Sequence, residues 1–295
     1  MVKYFNSYQA AEIMNVNVST IKRWTDAKKL DCAQTAGGHR KFTLYHINEF
    51  LKKSKKKHQI NIYKISDSLN EILCNHIENL DFKQLRIYFY DILLKGETKR
   101  ITSILEALYL KSTPLYQIYD MLVNPTLNKI GNSWYKGEIS ISHEHLASNT
   151  LNKAINNLNN LIINKKTESP LIVLLFGVKN NNHSLPLQMT EQIFSSYGHK
   201  VINCSADTPV FSLKELIEST MPKIILISAT YIKDEKETIN EIKELEELNK
   251  KINANLFIAG ASNKLIKDKS LSNFININSM EEIEKLAKDI NNEDL

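Results

Sequence analysis

The sequence predicts a multidomain chain of α and α/β classes, in which a helix-turn-helix with a wing is followed by a helical bundle and then by a parallel sheet covered with helices. Three observations carry that prediction. Positive charge is concentrated in the first 60 residues, apolar residues recur at helical spacing from Ile60 to about Ile163, and short continuous apolar runs alternate with helical stretches after Pro170. The expected domains span residues 1–58, 59–166 and 167–295.

The 295 residues are 42% hydrophobic and 24% charged, with few Gly and Pro, which is the composition of a globular chain rather than a fibrous or disordered one. The sequence has no apolar run of about 18 residues, and its first residues lack the basic-then-apolar order of a secretory leader. The expected location is therefore the cytoplasm, with no membrane partner. Cys32, Cys74 and Cys204 lie far apart and form no C-x-x-C, so neither a zinc set nor a disulfide framework is read from them. Residues 1–60 hold twelve Lys/Arg against four Asp/Glu, a net of +8, so the whole-chain value of +5 leaves about −3 for the remainder. A basic head on a mildly acidic body is the electrostatic footprint of a polyanion-binding module, and nucleic acid is the expected partner.

Within the head, Ser7–Met14 reads as a short helix with Ser7 as N-cap and Ala10, Ile13 and Met14 inward, broken at Asn15–Asn17. Ser19 then caps a second helix, Thr20–Leu30, and two short helices joined by a tight turn form a helix-turn-helix. Ile21 and Trp24 share one face of the second helix, while Thr20, Lys22, Arg23 and Asp26 point away from it. Trp24 is read as a core residue. The opposite face is suited to a major groove, where Arg matches guanine edges and Lys or Thr matches phosphates. Gly37 and Gly38 supply a tight turn with Arg40 and Lys41 at its exit, so residues 35–42 read as a wing presenting cations to the sugar-phosphate backbone or the minor groove. A third helix around His46–Leu51 closes the core through Ile47, Phe50 and Leu51. The Lys52–Lys57 run that follows is read as a solvated linker or as added phosphate contacts.

Ser7, Ala10, Ala11, Val16 and Thr20–Trp24, followed by Gly37–Phe42, resemble the DNA-binding module of the MerR/excisionase type over residues 5–53. The resemblance implies Ser19, Thr20, Lys22, Arg23, His39, Arg40 and Lys41 as DNA-binding residues.

The helical middle has breaks near Asn79–Phe82, Lys95–Thr98, Ser112–Pro114 and Gly131–Ser140, which gives four or five helices. The last break places Trp134, His143, Glu144 and His145 together. Taken bare, the His-Glu-His cluster suggests a metal site, but residues two apart do not share a helical face. Trp134, Gly137, Ile139, Glu144 and His145 resemble instead the W-x-x-G-x-I-x-x-x-x-E-H signature of the helical cap in cobalamin-binding modules. That likeness covers residues 75–165 and implies that Trp134 covers the upper face of a corrin, with Glu144 and His145 close by.

In the last third, Pro170–Phe176, Lys200–Asn203, Lys223–Ser228, Asn255–Ala259 and Phe274–Ile277 read as strands of a parallel sheet, whose ligands sit beyond the carboxyl ends. The loop after the first strand carries His183. Alone, such a histidine has two readings, a solvated side chain or a metal ligand. Asn181, His183 and Pro186 occupy the positions of the D-x-H-x-x-G motif of cobalamin-binding domains, with Asn for Asp and Pro for Gly. The likeness implies a Rossmann-like, flavodoxin-type domain with His183 as the lower ligand of cobalt. It also implies a slot for the nucleotide tail lined by Ser228, Thr230, Gly260 and Ala261, where Ala261 replaces a glycine.

The order of winged head, cap and sheet is that of the CarH/LitR group of light-sensing repressors, which the chain resembles end to end. The resemblance implies a transcription regulator and not an enzyme: a homo-oligomeric repressor on a double-stranded DNA operator, with adenosylcobalamin as cofactor and light as the releasing signal. That group uses a histidine directly after the cap tryptophan in its light state, where this chain has Tyr135. Two other readings remain open. One is a regulator whose altered sensor holds no cobalamin and answers to an antagonist protein, which Tyr135, Asn181 and Pro186 favour. The other is a corrinoid carrier in methyl transfer, for which the DNA-binding head has no use.

Overall fold

The computed structural model describes residues 3–54, 59–162, 169–260 and 273–289. The chain forms two compact units, Met1–Ile163 and Asn164–Leu295, so the basic head and the helical middle share the first.

The head consists of α1 (Ser7–Ile13), α2 (Val18–Asp26), a two-stranded antiparallel ribbon of β1 (Ala33–Gln34) and β2 (Arg40–Lys41), and α3 (Leu44–Lys53). The cap of α1 is Asn6 rather than Ser7, since the Asn6 carboxamide accepts from the Tyr8 and Gln9 amides while Gln9 reaches back to the Asn6 amide. Likewise α2 starts two residues earlier than a Ser19 cap would place it, with Asn17 at the cap position, and it ends at Asp26 instead of continuing to Leu30. Lys28, two residues on, has φ of 53°, which no helix continues through. The core is Phe5, Ala10, Ile13, Met14, Ile21, Leu30, Phe42 and Ile47, and Phe5 and Phe42 exchange both backbone hydrogen bonds at 2.8 Å.

The rest of the first unit is built from α4 (Glu71–Glu78), α5 (Phe82–Leu94), α6 (Thr98–Leu110), α7 (Leu115–Ile118), α8 (Asn124–Tyr135) and α9 (Ile141–Leu158). A π-turn at Tyr119–Val123 joins α7 to α8. Pro125 has no N–H to give back to the preceding turn, and widening the ladder just before it lets the helix run on. Gly131 lies inside α8, so the break that the sequence placed at Gly131–Ser140 is confined to residues 136–140.

Long-range bonds fasten the head to this bundle. The buried Asn48 amide donates to the Leu161 carbonyl at 3.0 Å, and Asn61 N–H donates to the Ile13 carbonyl at 2.8 Å. Lys52 Nζ reaches Tyr109 Oη at 2.5 Å. Although the residue as a whole stays exposed, burial of its ammonium lowers the Lys52 pKa to about 8. On α6, burial raises the Glu106 carboxyl to about 7, an effect that the charge of Lys3 only partly offsets.

The second unit is a parallel five-stranded sheet in the order β4-β3-β5-β6-β7, with β3 at Ile172–Gly177, β4 at Lys200–Asn203, β5 at Ile224–Ser228, β6 at Asn255–Ala259 and β7 at Phe274–Ile277. Alternate strand residues point to opposite faces. Leu174, Phe176, Ile225, Ile227, Leu256 and Ile258 pack with Leu213, Ile217, Ile242 and Leu245 from α11 (Lys214–Thr220), the turn before it, and α12 (Glu235–Asn249). Val173, Leu175 and Leu226 face the other way, where α10 (Leu185–Ser196) and the helix Met280–Asp289 lie. The chain leaves β3 in one direction to β4 and then crosses to β5 on the other side. Order reversal of this kind opens a crevice at the carboxyl ends of β3 and β5.

Candidate nucleic-acid interface and strand-edge histidine site

On α2, Ser19, Lys22 and Arg23 are exposed and Thr20 is half-buried, while Ile21 is fully buried and Trp24 lies against Phe50 with ring centroids 4.5 Å apart. Trp24 is thus half-buried at the edge of the core rather than inside it. The wing turn is held by Thr35, whose hydroxyl accepts from His39 N–H at 3.1 Å while Gly38 takes φ of 74°. His39 at the tip is exposed, and Lys41 is half-buried. Arg40 is not presented outward in the way the sequence suggested. It folds onto α2 and donates to the Asp26 carboxylate at 2.6 Å, with its side chain only 25% exposed. Asp26, on the outward face of α2 where the sequence places it, is therefore a member of this surface, and its pairing with Arg40 is what sequence reasoning missed. Lys55–Lys57 lie outside the described residues.

The cap residues of the first unit sit on α8 and α9. Trp134 is in the last turn of α8 and 46% exposed, with Tyr135 beside it 87% exposed. Ser140 caps α9 and its hydroxyl is 2.7 Å from His143 Nδ1. Glu144 accepts from Ser148 Oγ at 2.7 Å and lies 3.7 Å from His145 Nε2. His143 turns back to the cap while His145 faces Glu144, so the two imidazoles do not converge.

The strand-edge loop of the second unit is tighter. Val178 N–H donates to the Ser228 carbonyl, Gly177 N–H to the Ser205 carbonyl and Asp207 N–H to the Asn181 carbonyl, at 2.9 to 3.0 Å. Asn180, Ser205 and Asp207 all take left-handed backbone conformations, and the Asp207 carboxylate accepts from Asn180 N–H at 2.6 Å. Such strain persists only where neighbouring contacts over-determine the chain. Asn181 is fully buried. Its amide nitrogen donates to the Ser228 carbonyl at 3.0 Å, and its amide oxygen faces His183 N–H at 3.3 Å and His183 Nδ1 at 2.9 Å. His183 itself is exposed. Pro186 falls in the first turn of α10, where a missing N–H costs nothing.

Ser228 and Thr230 line the end of β5, their hydroxyls 3.5 Å apart. Gly260, at the end of β6 with φ of 120°, leaves no room for a Cβ, which would fall 2.7 Å from the Ala229 carbonyl carbon and the Thr230 nitrogen. Asn181, His183, Ser228, Thr230 and Gly260 are thus gathered at one edge of one sheet. Ala261 lies outside the described residues.

Two protein families match the chain: residues 4–55 match the helix-turn-helix domain and residues 89–159 the B12 binding domain. No curated protein matches it. Among solved structures it is similar to the monomethylamine corrinoid protein of Methanosarcina barkeri, 13% identical, with a TM-score of 0.58 over 70% of this chain and 99% of that one. The methanol:cobalamin methyltransferase complex MtaBC of the same organism is 13% identical, with a TM-score of 0.36 over 70% and 80%. A cobalamin-binding protein of Desulfitobacterium hafniense DCB-2 is 14% identical, with a TM-score of 0.34 over 73% and 95%. The chain therefore joins a helix-turn-helix domain to a B12-binding-type domain, and its parallel sheet has the Rossmann-like fold of that class. Among the described residues no helix is long and apolar enough to cross a membrane.

The donor set at the strand edge fits a corrinoid cobalt. The His183 imidazole is exposed, its Nδ1 lies 2.9 Å from the buried Asn181 carboxamide oxygen, and imidazole is a nitrogen ligand of the type that suits such a metal.

Proposed function

We propose that the protein is a repressor that engages a double-stranded DNA operator through α2 and the wing and responds to adenosylcobalamin and light. The observation that carries this reading is the presence in one chain of a helix-turn-helix domain and a B12-binding-type domain. In it, Lys22 and Arg23 meet base edges or phosphates, Ser19, Thr20, His39 and Lys41 add backbone contacts, and Arg40 exchanges Asp26 for a phosphate. The cofactor would be held by His183, with Ser228, Thr230, Gly260 and Ala261 along its nucleotide tail, while Trp134, Glu144 and His145 keep the cofactor role that the cap resemblance implies. When bound, the cofactor would supply a light-labile cobalt–carbon bond.

A single head covers about one half-site, so affinity grows when two heads engage a pseudo-palindrome. A ligand that favours one assembly over another then changes operator occupancy through that difference in affinity. In this reading the protein works as a cytoplasmic homo-oligomer and catalyses no reaction.

The test is an absorption spectrum of full-length protein incubated in the dark with adenosylcobalamin and desalted, repeated after green light, with operator gel shifts on the same samples. A retained corrin spectrum that changes on illumination, together with altered DNA binding, is the expected result. A colourless protein that still shifts DNA overturns the cofactor part. It favours instead a regulator controlled by an antagonist protein, a reading consistent with the exposed Tyr135 where the light-state histidine would stand.

A further inference from the structure

Helix α3 has two working faces. Ile47 is fully buried in the head core, and Phe50 lies against Trp24 of α2 with ring centroids 4.5 Å apart. Asn48 and Lys52, one turn apart, turn instead to the bundle. The Asn48 side chain is buried and donates to the Leu161 carbonyl at 3.0 Å, just past the end of α9. Lys52 Nζ rests on Tyr109 of α6, 2.5 Å from the hydroxyl and 4.5 Å from the ring centroid.

Both anchors belong to one pair of helices. Asn157 on α9 donates to Thr102 Oγ1 on α6 at 3.3 Å, and the Leu161 and Ile162 amides both bond to the Leu158 carbonyl, which fixes the turn that α3 grips. From that turn α9 runs back through 18 residues, about 27 Å of helix, to Glu144 and His145 near its start. Lys52 is also set apart from the lysine beside it. Lys53 stays on the outer surface, paired with Glu49 at 2.7 Å, whereas Lys52 gives up hydration to reach a neutral phenol. An apolar contact would hold α3 against the bundle without fixing its rotation, but a buried amide donating to one carbonyl admits one orientation.

We propose that α3 is the coupling helix of the first unit: through Asn48 and Lys52 it fixes the recognition helix α2 to the α6–α9 pair. DNA engaged by the head and a ligand engaged near the start of α9 then bias one another, and each changes the other's affinity by the same factor. Lys52 is thus a fastener rather than a phosphate contact. The proposal rests on the reading of the head as a DNA-binding module for what is coupled; the fastening is a property of the chain itself.

The test uses full-length, 15N-labelled protein without cofactor. Backbone relaxation rates give the rotational tumbling time of head and bundle separately. In wild type the amides of α1–α3 should share one tumbling time with those of α4–α9. In the Asn48→Ala, Lys52→Met double variant the head should tumble faster, with unchanged signals from its own core showing that it stays folded. Lys53→Met, on the same helix but off the seam, should leave the common tumbling time in place. A wild-type head that tumbles on its own, or a double variant whose head still tumbles with the bundle, overturns the proposal. A second arm adds a DNA duplex that the protein has selected from a random-sequence library. In wild type the duplex should shift the amide signals of residues 141–148 at the far end of α9, and in the double variant it should bind and leave them unshifted. Bound duplex that leaves those signals unshifted in wild type, or shifts them equally in both proteins, overturns the coupling. A protein that selects no duplex removes the DNA reading, and the tumbling times then decide the fastening by themselves.

Discussion

The helical cap of the first unit and the strand-edge loop of the second are both histidine-bearing, and they are built in opposite ways. On α9 the polar side chains find one another. Glu144 bonds a serine one turn on and His145 stands 3.7 Å away, with its side chain 61% exposed. At the sheet edge, the backbone places the side chains: the Asn181 amide is fully buried and gripped by a carbonyl 47 residues away. A surface helix tolerates adjustment because water can replace any partner, whereas a buried amide has no such substitute. The cap is accordingly adaptable and the loop preorganised.

The largest expected effect comes from adding one methyl group to each region. Gly260→Ala puts a Cβ 2.7 Å from backbone atoms at positive φ and should cost about 3 kcal/mol in denaturant unfolding. Gly131→Ala, inside α8 with nothing within 4 Å, should instead stabilise by about 0.5 to 1 kcal/mol. Similar values for the two variants would erase the contrast between loop and cap.

Deleting a polar group sharpens it next. Asn181→Ala should cost about 1 to 3 kcal/mol of stability, against less than about 0.5 kcal/mol for Glu144→Gln, at a half-buried position near the start of α9. Thermal unfolding of both variants beside wild type decides it.

A third expectation is confined to the first unit and concerns pH. Burial raises the folded-state pKa of Glu106 from 4.5 to about 7. The folded form thus holds its proton more tightly than the unfolded chain, and the associated stability, present below pH 4.5, is lost as pH rises toward 7. Glu106→Gln should match wild type near the lower limit and exceed it above the upper one, by on the order of 2 kcal/mol. Unfolding curves with parallel pH dependence in both proteins would contradict this assignment.

The smallest effect on stability is expected at the head. Asp26→Ala removes an ion pair whose acid is 66% exposed, which should change unfolding by less than about 1 kcal/mol. Its signature is electrostatic. Arg40, no longer held by Asp26, should bind DNA more tightly with an unchanged salt slope, whereas Arg40→Ala should flatten that slope by about one counterion, and an Arg40→Ala slope equal to wild type in salt-titrated gel shifts would show that Arg40 does not contact DNA.

Local periodicity made much of this chain readable. Strands β4, β6 and β7 coincide with the expected short apolar runs, and the head helices lie near their expected places, because apolar spacing reports burial directly. Boundaries were less legible. Asn6 and Ser7 both suit an N-cap, and only the reciprocal bonds with Gln9 select Asn6. Gly131 read as a breaker, yet packing around α8 carries the helix through it.

The sequence by itself determined which chemistry the chain can offer: a basic winged head, a tryptophan with a Glu-His pair, and a histidine on the first strand-edge loop. What the tertiary structure alone decided is how those groups are held. Arg40 is turned onto Asp26, Asn48 fastens the head to the Leu161 carbonyl 113 residues away, and the Ser228 carbonyl orients Asn181. The physical reason is that hydrogen-bond direction depends on partners distant in sequence, and nothing in the composition or local period of a segment encodes where a remote backbone carbonyl will point.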